Sequence, residues 1–328
     1  MTVQDKLYGK IEITEPVILE LINSPELQRL KGVDQGGYTQ PYHPLGQVFS
    51  RFDHSLGVYW LLKTYGAPLE EQIAGLIHDV SHSVFSHCID YVLIGGDGGK
   101  QSHQDNIFES FVKKSSLPKI IEKYNLKTNY LLDDDHFLLK ERELPELCAD
   151  RLDYSLRTAL IYQNISQTEA QEFLNNLVIK DNNWVLKNLE IAEKYAQLFL
   201  KLNHDYWASL TGATMHLTVG DYLRYALEKN YLQEADLYTT DNQILEKTLR
   251  FHQTDPELKL LFEKMENKIP VENKPQAGAR EIKLKSRMVD PLFLDGSEIK
   301  RLSEVKTDWK KIVAAELEPK KYFLKFTC

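Results

Sequence analysis

The stretch LIHDVSHSVFSH, residues 76–87, places three histidines and an aspartate within a dozen positions. Five of the chain's 10 histidines, His54, His78, His82, His87 and His103, fall within one 50-residue window. An even distribution over 328 residues would place one or two histidines there. Imidazole binds metals and changes its protonation state near neutral pH. The clustering therefore indicates a site at which chemistry takes place.

Length and composition are those of an ordinary globular protein. The 328 residues, 42% of them hydrophobic, supply an ample core for one large domain or two smaller ones. The net charge of −8 comes without a long basic run, so the sequence carries no strong signal of nucleic-acid binding. The N-terminus has no apolar signal segment, and no stretch approaches the ~18 apolar residues of a membrane span. We therefore expect a cytoplasmic protein without a membrane partner.

The cysteines exclude two other classes of site. Cys88, Cys148 and Cys328 are an odd, scattered set without a C-x-x-C spacing. Such a set argues against a disulfide framework and against a thiolate zinc site. Metal ligands are therefore sought among the histidines and carboxylates.

Hydrophobic periodicity predicts a mainly α-helical body. In residues 14–33, Val17, Ile18, Leu21 and Ile22 share one helical face. Further helices are predicted over residues 50–66, 68–93, 103–115, 145–162, 188–209, 217–232 and 242–253. Glycine, proline and polar residues predict loops over residues 34–47, 94–101 and 272–280.

The pattern changes after the polar stretch ENKPQAGAR, residues 272–280. Residues 281–302 alternate apolar and polar positions around the turn signal LDGS, and residues 320–328 alternate again. We predict a helical domain over residues 1–270 and a small antiparallel β appendage with helical content over residues 280–328, packed on the helical domain.

Four residues from separate segments are candidate ligands of one divalent metal. A metal needs neutral imidazoles and ionised carboxylates that converge from different elements. His54 lies early in the helix predicted over residues 50–66, His78 and Asp79 are adjacent in LIHDV, and Asp150 lies in CADRLDY. A single histidine is more often a core or capping residue. A purely structural role explains four such residues together less well than a metal site does.

These residues, in this order, resemble the HD superfamily of metal-dependent phosphohydrolases, which is defined by His, then His-Asp, then Asp. The segments RFDHSLGV, LIHDVSHSVFSH, SHQDNIFESFV and ADRLDYSLR resemble its deoxynucleoside triphosphate triphosphohydrolase branch, that of the SAM-and-HD-domain proteins. The resemblance covers about residues 7–160 convincingly and residues 190–265 more loosely. It implies a helical HD-domain bundle, one divalent ion (Mn, Fe, Mg, Ni or Zn) and a phosphate ester as substrate, with homo-oligomers common in the branch.

The resemblance also implies roles for individual residues. The metal ligands are His54, His78, Asp79 and Asp150. His82 and His103 match histidines near the scissile phosphate, where an imidazole held protonated by a carboxylate donates a proton to the leaving oxygen. The carboxylate that orients one of them and a further pocket histidine match Asp90 and His87.

The substrate contacts implied by the resemblance lie next to these positions. Arg51 and Arg151 would face phosphate oxygens, although either arginine is also compatible with a surface ion pair. Tyr154, one helical turn after Asp150, would stack on a sugar or base, and Gln35 would touch the nucleotide.

The chain departs from the branch where the triphosphate is held. Thr158 replaces an aspartate, and hydrophobic or small residues replace the arginine, tyrosine, glutamine and lysine of a later helix: Leu202, Leu210, Thr211 and Ala213. Each lost charge-assisted hydrogen bond is worth about 1.5–3 kcal/mol. We therefore expect a mono- or diphosphate ester, or a non-standard nucleotide, unless Lys201, His204 or a neighbouring subunit replaces the lost charge.

Three functions remain open on the sequence alone. The first is an active phosphohydrolase acting on a nucleotide or a related phosphorylated metabolite. The second is a nucleotide-binding regulatory module that keeps the metal but has lost turnover, against which the presence of His82, Asp90 and His103 argues. The third is a metal-dependent oxygenase, which usually needs further ligands for a second metal.

Overall fold

The fold is mainly helical, with small β-sheets. A computed structural model describes residues 1–43, 48–92 and 100–327, so parts of the loops predicted over 34–47 and 94–101, and Cys328, lie outside the described residues. The helices are α1 (Pro16–Ile22), α2 (Pro25–Arg29), α3 (Arg51–Thr64), α4 (Leu69–Ile77), α5 (His103–Lys114), α6 (Leu117–Lys123), α7 (Thr128–Leu131), α8 (Ala149–Ile161), α9 (Gln167–Asn175), α10 (Leu189–Leu202), α11 (Leu210–Glu228), α12 (Asp241–Leu249), α13 (Pro256–Met265), α14 (Leu302–Val305) and α15 (Thr307–Glu316).

The strands form three small sheets. β1 pairs with β2, the order of the second sheet is β3-β4-β7-β8, and that of the third is β5-β9-β6. The strands are β1 (Thr2–Asp5), β2 (Gly9–Glu12), β3 (Leu177–Lys180), β4 (Asn183–Leu186), β5 (Val271–Asn273), β6 (Arg280–Leu284), β7 (Leu292–Asp295), β8 (Glu298–Arg301) and β9 (Lys320–Phe326). The hairpin predicted around LDGS is confirmed as β7–β8, which pairs antiparallel.

Two expectations about strands are wrong. Strands also occur before the C-terminal part, as β1 to β4, because runs of four residues are too short for a periodicity signal. The C-terminal strands are not purely antiparallel either, since β7 pairs in parallel with β4 of the preceding helical part. The division into domains 1–270 and 280–328 stays a prediction. Within the described residues, no helix is both long and apolar enough to cross a membrane.

Helix α3 carries the centre of the fold. Its N-terminus is fixed by a capping box, in which Ser50 accepts a hydrogen bond from the Asp53 amide and Asp53 accepts one from the Ser50 amide. Its side chains enter two hydrophobic clusters, one shared with α8 and α10 and one shared with α1, α4 and α6. At Gly57 the helix runs so close to α8 that a Cβ would overlap the carboxylate of Asp153 and the guanidinium of Arg157. This close approach places the first turns of α3 and α8 side by side.

The helix predicted over residues 68–93 is shorter than expected. Helix α4 ends at Ile77, and the chain returns to a helical path only in a 3₁₀-helix at Ser86–Tyr91. The intervening carbonyls are bound by distant side chains: Arg29 Nη2 donates to the carbonyls of Val80 (2.9 Å) and His82 (2.6 Å), and Gln104 Nε2 donates to that of His78 (2.7 Å). Because these donors replace the helical hydrogen bonds, the histidine-rich stretch leaves the helix.

Candidate metal centre and active site

The four predicted metal ligands are brought together from three elements. His54 lies in the first turn of α3, His78 is the C-cap of α4, Asp79 follows it, and Asp150 lies in the first turn of α8. Because α4 ends at this point, the adjacent His78 and Asp79 can both face the same place. The sequence alone gave no reason to place a helix end there.

The distances among these side chains suit ligands of one ion. His54 Nε2 lies 2.8 Å from Asp150 Oδ1, and His78 Nε2 lies 3.5 Å from the same oxygen. These three residues each place one potential ligand atom within 4.8 Å of the others. Asp79 lies beside the group, with Oδ1 3.4 Å from His78 Nε2 and Oδ2 3.8 Å from His54 Nε2. Ligand atoms about 2.1 Å from one divalent ion lie about 3.0 Å apart at a right angle and about 3.4 Å apart at a tetrahedral angle. The residues therefore fit a divalent metal.

The protein also fixes the tautomer of both histidines. His54 Nδ1 is 2.8 Å from Asp153 Oδ1, and His78 Nδ1 donates to the Gly75 carbonyl at 2.7 Å. Each ring therefore presents the lone pair of Nε2 to the centre. The buried His78 Nε2 has no hydrogen-bond partner among the described residues, as expected of an atom whose partner is a metal ion.

A buried ionic network supports His54 from behind. Arg157 donates to Asp153 through Nε (3.0 Å) and Nη2 (2.9 Å), and to Asp5 on β1 through Nη1 (2.8 Å). Asp5 in turn accepts from the amides of Leu7 and Tyr8. The network orients the imidazole and increases its basicity, as carboxylates behind metal-bound histidines commonly do. Sequence reasoning missed Asp153, although it lies three positions after Asp150, on the same side of α8.

Electrostatics keep the candidate carboxylates ionised. Burial would raise the pKa of Asp79, but Arg51 and His78 hold it well below its usual value. Burial likewise opposes ionisation of Asp150, and the adjacent His54 and His78 hold its pKa well below the usual value. Burial would lower the pKa of His54, but its bonds to Asp150 and Asp153 raise it to about 9. A proton on His54 thus takes the place that a cation would occupy in the metal-bound site.

The other predicted catalytic residues form a chain that leads away from the candidate ligands. His82 Nε2 lies 3.2 Å from Asp79 Oδ1, and the ring of His87 lies 4.9 Å from that of His82. His87 Nδ1 is 3.6 Å from Asp90 Oδ2, while Asp90 Oδ1 accepts from the His103 amide at 3.0 Å. Asp90 therefore contacts His87 by its side chain and His103 through the backbone. The His103 ring lies 3.2 Å from the Tyr238 hydroxyl and is not part of the described cavity wall.

The protonation of these histidines differs from the sequence expectation. Burial, with Arg51 nearby, lowers the pKa of His82 to about 4, and burial with His82 nearby holds the pKa of His87 well below its usual value. Burial also lowers the pKa of His103 and raises that of Asp90 to about 6. In the ligand-free site the imidazoles are therefore neutral at pH 7, not protonated as the sequence suggested. An anionic phosphate beside them would raise their pKa.

Arg51 and Arg151 are engaged by the protein itself. Arg51 is buried and donates to Asp79 (2.9 Å), to the Ser86 hydroxyl (2.9 Å) and to the Gln35 carbonyl (3.2 Å). Arg151 is buried and donates to the carbonyls of Glu146 and Arg142 and to the side chains of Cys148 and Glu141. Neither forms the surface ion pair considered above. Both line the cavity, with most of their hydrogen-bonding capacity directed at protein atoms.

Three of the candidate ligands, His78, Asp79 and Asp150, lie in the wall of a cavity of about 970 Å³, and His54 is buried behind them. Gln35 and Tyr154 also line this cavity, and Tyr154 packs edge-on against Trp207 at 5.0 Å. Three further rings lie in the same wall, with the centroids of Tyr162 and Tyr206 4.7 Å apart and those of His43 and Tyr206 5.1 Å apart. We refer to His43, Tyr162 and Tyr206 as the aromatic cluster. Sequence reasoning missed it because these residues come from three distant segments.

The positions of the missing triphosphate contacts are partly confirmed as cavity positions. Thr158 and Thr211 line the cavity, whereas Leu202 is buried elsewhere and Leu210 and Ala213 pack in a cluster with β6 and β9. Lys201 pairs with Asp205, and His204 pairs with Glu316 at 3.0 Å. Neither of these cations belongs to the described cavity wall, so the suggestion that they replace the lost charge is not supported.

A second group of potential ligand atoms lies beside the first. Glu141, Cys148 and Asp150 each place one such atom within 4.8 Å of the others. Arg151 donates to both Glu141 and Cys148, however, and burial keeps the pKa of the Cys148 thiol well above its usual value. A cation already occupies this position, which weighs against the second metal of an oxygenase.

Comparison with known proteins gives relatives along most of the chain, although no family model matches it. The uncharacterised protein YdhJ of Bacillus subtilis is 35% identical over 302 residues, 92% of this chain and 91% of the relative. The metal-dependent phosphohydrolase cns2 of Cordyceps militaris is 29% identical over 270 residues, 80% of this chain and 77% of the relative. The deoxynucleoside triphosphate triphosphohydrolase SAMHD1 of Gallus gallus is 32% identical over 158 residues, 42% of this chain but 25% of that protein.

Solved structures share the fold over the whole chain. A hypothetical protein from Aquifex aeolicus superposes with a TM-score of 0.74 at 18% identity, covering 100% of this chain and 96% of the other. A phosphohydrolase from Bacteroides thetaiotaomicron superposes with a TM-score of 0.71 at 19% identity, covering 100% of both chains. These structures show the shared fold alone. The relatives named as a metal-dependent phosphohydrolase and as deoxynucleoside triphosphate triphosphohydrolases show that the chain belongs to the HD superfamily of metal-dependent phosphohydrolases.

Proposed function

We propose that this protein hydrolyses a phosphate ester of a nucleotide or a closely related metabolite. One observation carries the proposal: a cavity of about 970 Å³ is lined both by His78, Asp79 and Asp150 of the candidate metal ligands and by the aromatic cluster. Ligand sites of about 300–1,000 Å³ commonly enclose small organic molecules, and aromatic side chains in the wall can pack against a planar ring. A substrate with a phosphate at one end and a base at the other matches both features.

His54, His78, Asp79 and Asp150 are proposed to hold the divalent ion. When bound, the ion would supply Lewis-acid polarisation of a phosphoryl oxygen and a water of lowered pKa. The protein's own contribution is orientation: Asp153 holds the His54 ring, the Gly75 carbonyl holds the His78 ring, and Arg51 holds the Asp79 carboxylate. The mixture of nitrogen and oxygen ligands suits Mn²⁺, Fe²⁺, Mg²⁺, Ni²⁺ or Zn²⁺.

Proton transfer is proposed for the histidines beside this centre. His82 contacts Asp79, and His87 and His103 are linked through Asp90. Because the ligand-free imidazoles are neutral, each can accept a proton from water or, once a phosphate dianion raises its pKa, donate one to the leaving oxygen.

Two features support a substrate with few phosphates. The residues expected to hold a triphosphate are absent, with threonines at the two positions, 158 and 211, that line the cavity. The wall also carries carboxylates outside the candidate ligand set that form no ion pair within the described residues and would repel a polyphosphate that extended towards them: Asp105, Asp135 and Glu143. We therefore propose that nucleoside mono- or diphosphates are hydrolysed at least as well as deoxynucleoside triphosphates, despite the partial similarity to SAMHD1.

The test is metal analysis of the purified protein, followed by a screen of nucleoside mono-, di- and triphosphates and other phosphorylated metabolites. The Asp150→Ala variant, purified in parallel, reports activity from contaminating phosphatases. We expect stoichiometric metal and a mono- or diphosphate among the best substrates. A kcat/KM for a deoxynucleoside triphosphate that exceeds every mono- and diphosphate by a hundredfold, about 2.7 kcal/mol in transition-state energy, would contradict the proposed substrate class.

A further inference from the structure

Two cations of the C-terminal segment reach the cavity and have no role in the account above. Lys285 and Arg287 lie just after strand β6, and both side chains line the same cavity as the candidate ligands His78, Asp79 and Asp150. Both act electrostatically on His87, and Arg287 also acts on Asp150 and Tyr154. The two residues, which we call the cation pair, therefore lie close to the site of chemistry although they are more than 130 positions away from Asp150 in sequence.

The other cations in the described cavity wall are already neutralised or directed at protein atoms. Arg51 pairs with Asp79, Lys140 pairs with Asp134, and Arg151 pairs with Glu141. Arg142 donates to the carbonyls of Leu138 and Asn182. Arg51, Lys140 and Arg151 therefore each face a carboxylate of the protein, whereas Arg142 has carbonyl partners and no ion pair within the described residues.

The cation pair differs in this respect from the three ion-paired cations. Among the described residues, the Arg287 side chain donates to neutral acceptors, the Gln101 amide oxygen at 2.7 Å and the Lys285 carbonyl at 3.4 Å. Within residues 1–43, 48–92 and 100–327, neither cation forms an ion pair with a carboxylate. Burial, together with Arg287, lowers the pKa of Lys285, and burial lowers that of Arg287. Two adjacent, partly buried cations are costly unless an anion is bound between them.

We propose that Lys285 and Arg287 form the phosphate-binding wall of the active-site cavity and hold anionic oxygens of the substrate by charge-assisted hydrogen bonds. This inference rests on the proposed function in that it names the residues that grip the phosphate. A planar guanidinium beside a flexible ammonium suits phosphate oxygens, and the geometry replaces the charge missing from positions 202, 210, 211 and 213 with charge from the C-terminal segment.

A structural role makes a different prediction. Asp105 and Glu141 also line the cavity, and burial raises the pKa of Asp105 while Lys285 opposes that rise. If the cation pair only balanced the charge of these carboxylates, removing any other cation of equal charge from the cavity would lower the affinity for an anion as much as removing Lys285. Lys140 lines the same cavity and provides that comparison.

The experiment measures binding of inorganic phosphate and pyrophosphate to the metal-containing protein by titration calorimetry. Lys285→Met and Arg287→Gln are compared with two matched controls. Lys140→Met removes the same charge from the same cavity, and Lys283→Met removes an exposed lysine two positions from Lys285. Metal content and thermal unfolding are recorded for every variant. The Lys285 side chain forms no hydrogen bond to any residue that the structure describes, so Lys285→Met keeps the test decisive if Arg287→Gln fails to fold.

We expect Lys285→Met and Arg287→Gln to weaken binding of at least one of the two anions about 10- to 100-fold, the loss of one charge-assisted hydrogen bond, with metal content unchanged. The control variants should change either affinity less than about threefold. Unchanged affinity for both anions in the folded Lys285→Met variant, or an equal loss in Lys140→Met, would overturn the inference. Because no turnover is measured, a protein that binds phosphate through the cation pair but hydrolyses no nucleotide would refute the proposed function alone.

Discussion

The candidate metal ligands with the residues that hold them, which we call the metal end, differ from the cation pair in how their charges are paired. At the metal end, charged groups face opposite charges: Arg51 lies 2.9 Å from Asp79, and Arg157 lies 2.9 Å from Asp153. At the cation pair, Lys285 and Arg287 lie beside each other without a paired carboxylate in the described part of the chain. The metal end thus suits a resident metal ion. The cation pair suits an anionic group that is present only when a ligand is bound.

The largest expected effect comes from removing a candidate ligand. Asp150→Ala should abolish metal binding and activity, with a loss above the 10- to 100-fold typical of residues behind the ligands. Asp79→Ala should do the same but also leaves the buried Arg51 without its carboxylate, so Asp150→Ala is the cleaner variant. Metal content by mass spectrometry is the measurement.

Asp105→Asn is the matched control, because Asp105 lines the same cavity outside the candidate ligand set. It should retain full metal content. Full metal content in Asp150→Ala as well would mean that the four residues do not form the metal site.

The next largest effect concerns proton transfer. His82→Ala and His103→Ala should keep the metal but lower kcat about 10²- to 10⁴-fold, the usual contribution of positioned general acid–base catalysis. His136→Ala, at an exposed histidine that contacts Tyr130, is the control and should leave kcat unchanged. The proposed role of His103 has less structural support than that of His82, since the His103 ring is outside the described cavity wall. Wild-type kcat in His103→Ala would assign proton transfer to His82 or His87.

A smaller effect tests how the metal end is held in place. Asp153→Asn removes the charge that orients His54 and should weaken metal affinity about 10- to 100-fold. Asp5→Asn is a close control, because Asp5 also binds Arg157 but does not touch His54. Chelator competition should therefore rank Asp153→Asn well below Asp5→Asn in metal affinity. Equal affinities would indicate that the network supports the fold only.

The metal end was largely predictable from sequence, and the cation pair was not. His54, His78, Asp79 and Asp150 lie in short motifs whose order carries the information, and the Ser50 cap fixes where α3 begins. The irregular path after Ile77 was not predictable, because Arg29 and Gln104 supply its hydrogen bonds from distant parts of the chain. Hydrophobic periodicity reflects the local preference for a helix or a strand and does not reveal hydrogen bonds from distant side chains.

The cation pair, Lys285 and Arg287, was not predictable for the same reason, because its position depends on tertiary contacts. In the alternating run KLKSRMVD, Lys283, Lys285 and Arg287 would share one face of a continuous strand. Strand β6 ends at Leu284, however, and only Lys285 and Arg287 line the cavity while Lys283 is exposed. Which lysine faces the site depends on where the strand stops against α11, a tertiary contact that alternation does not encode.

The smallest effect concerns His216 on α11, a cavity residue within electrostatic reach of Arg287. Burial, helped by Arg287, lowers the pKa of His216 to about 4 from 6.5. As the pH falls below 6.5, the unfolded chain binds a proton at this position and the folded chain does not, so the folded state loses stability. Between pH 6.5 and pH 5 the loss from this residue is about 1.6 kcal/mol, roughly 15-fold in the unfolding equilibrium. Denaturant unfolding of the wild type should show a loss larger by about this amount than that of His216→Gln, in which His82 and His87 still contribute. His204→Gln, at an exposed position, should behave as the wild type. Equal losses in His216→Gln and the wild type would mean that His216 is protonated in the folded protein despite the adjacent cation pair.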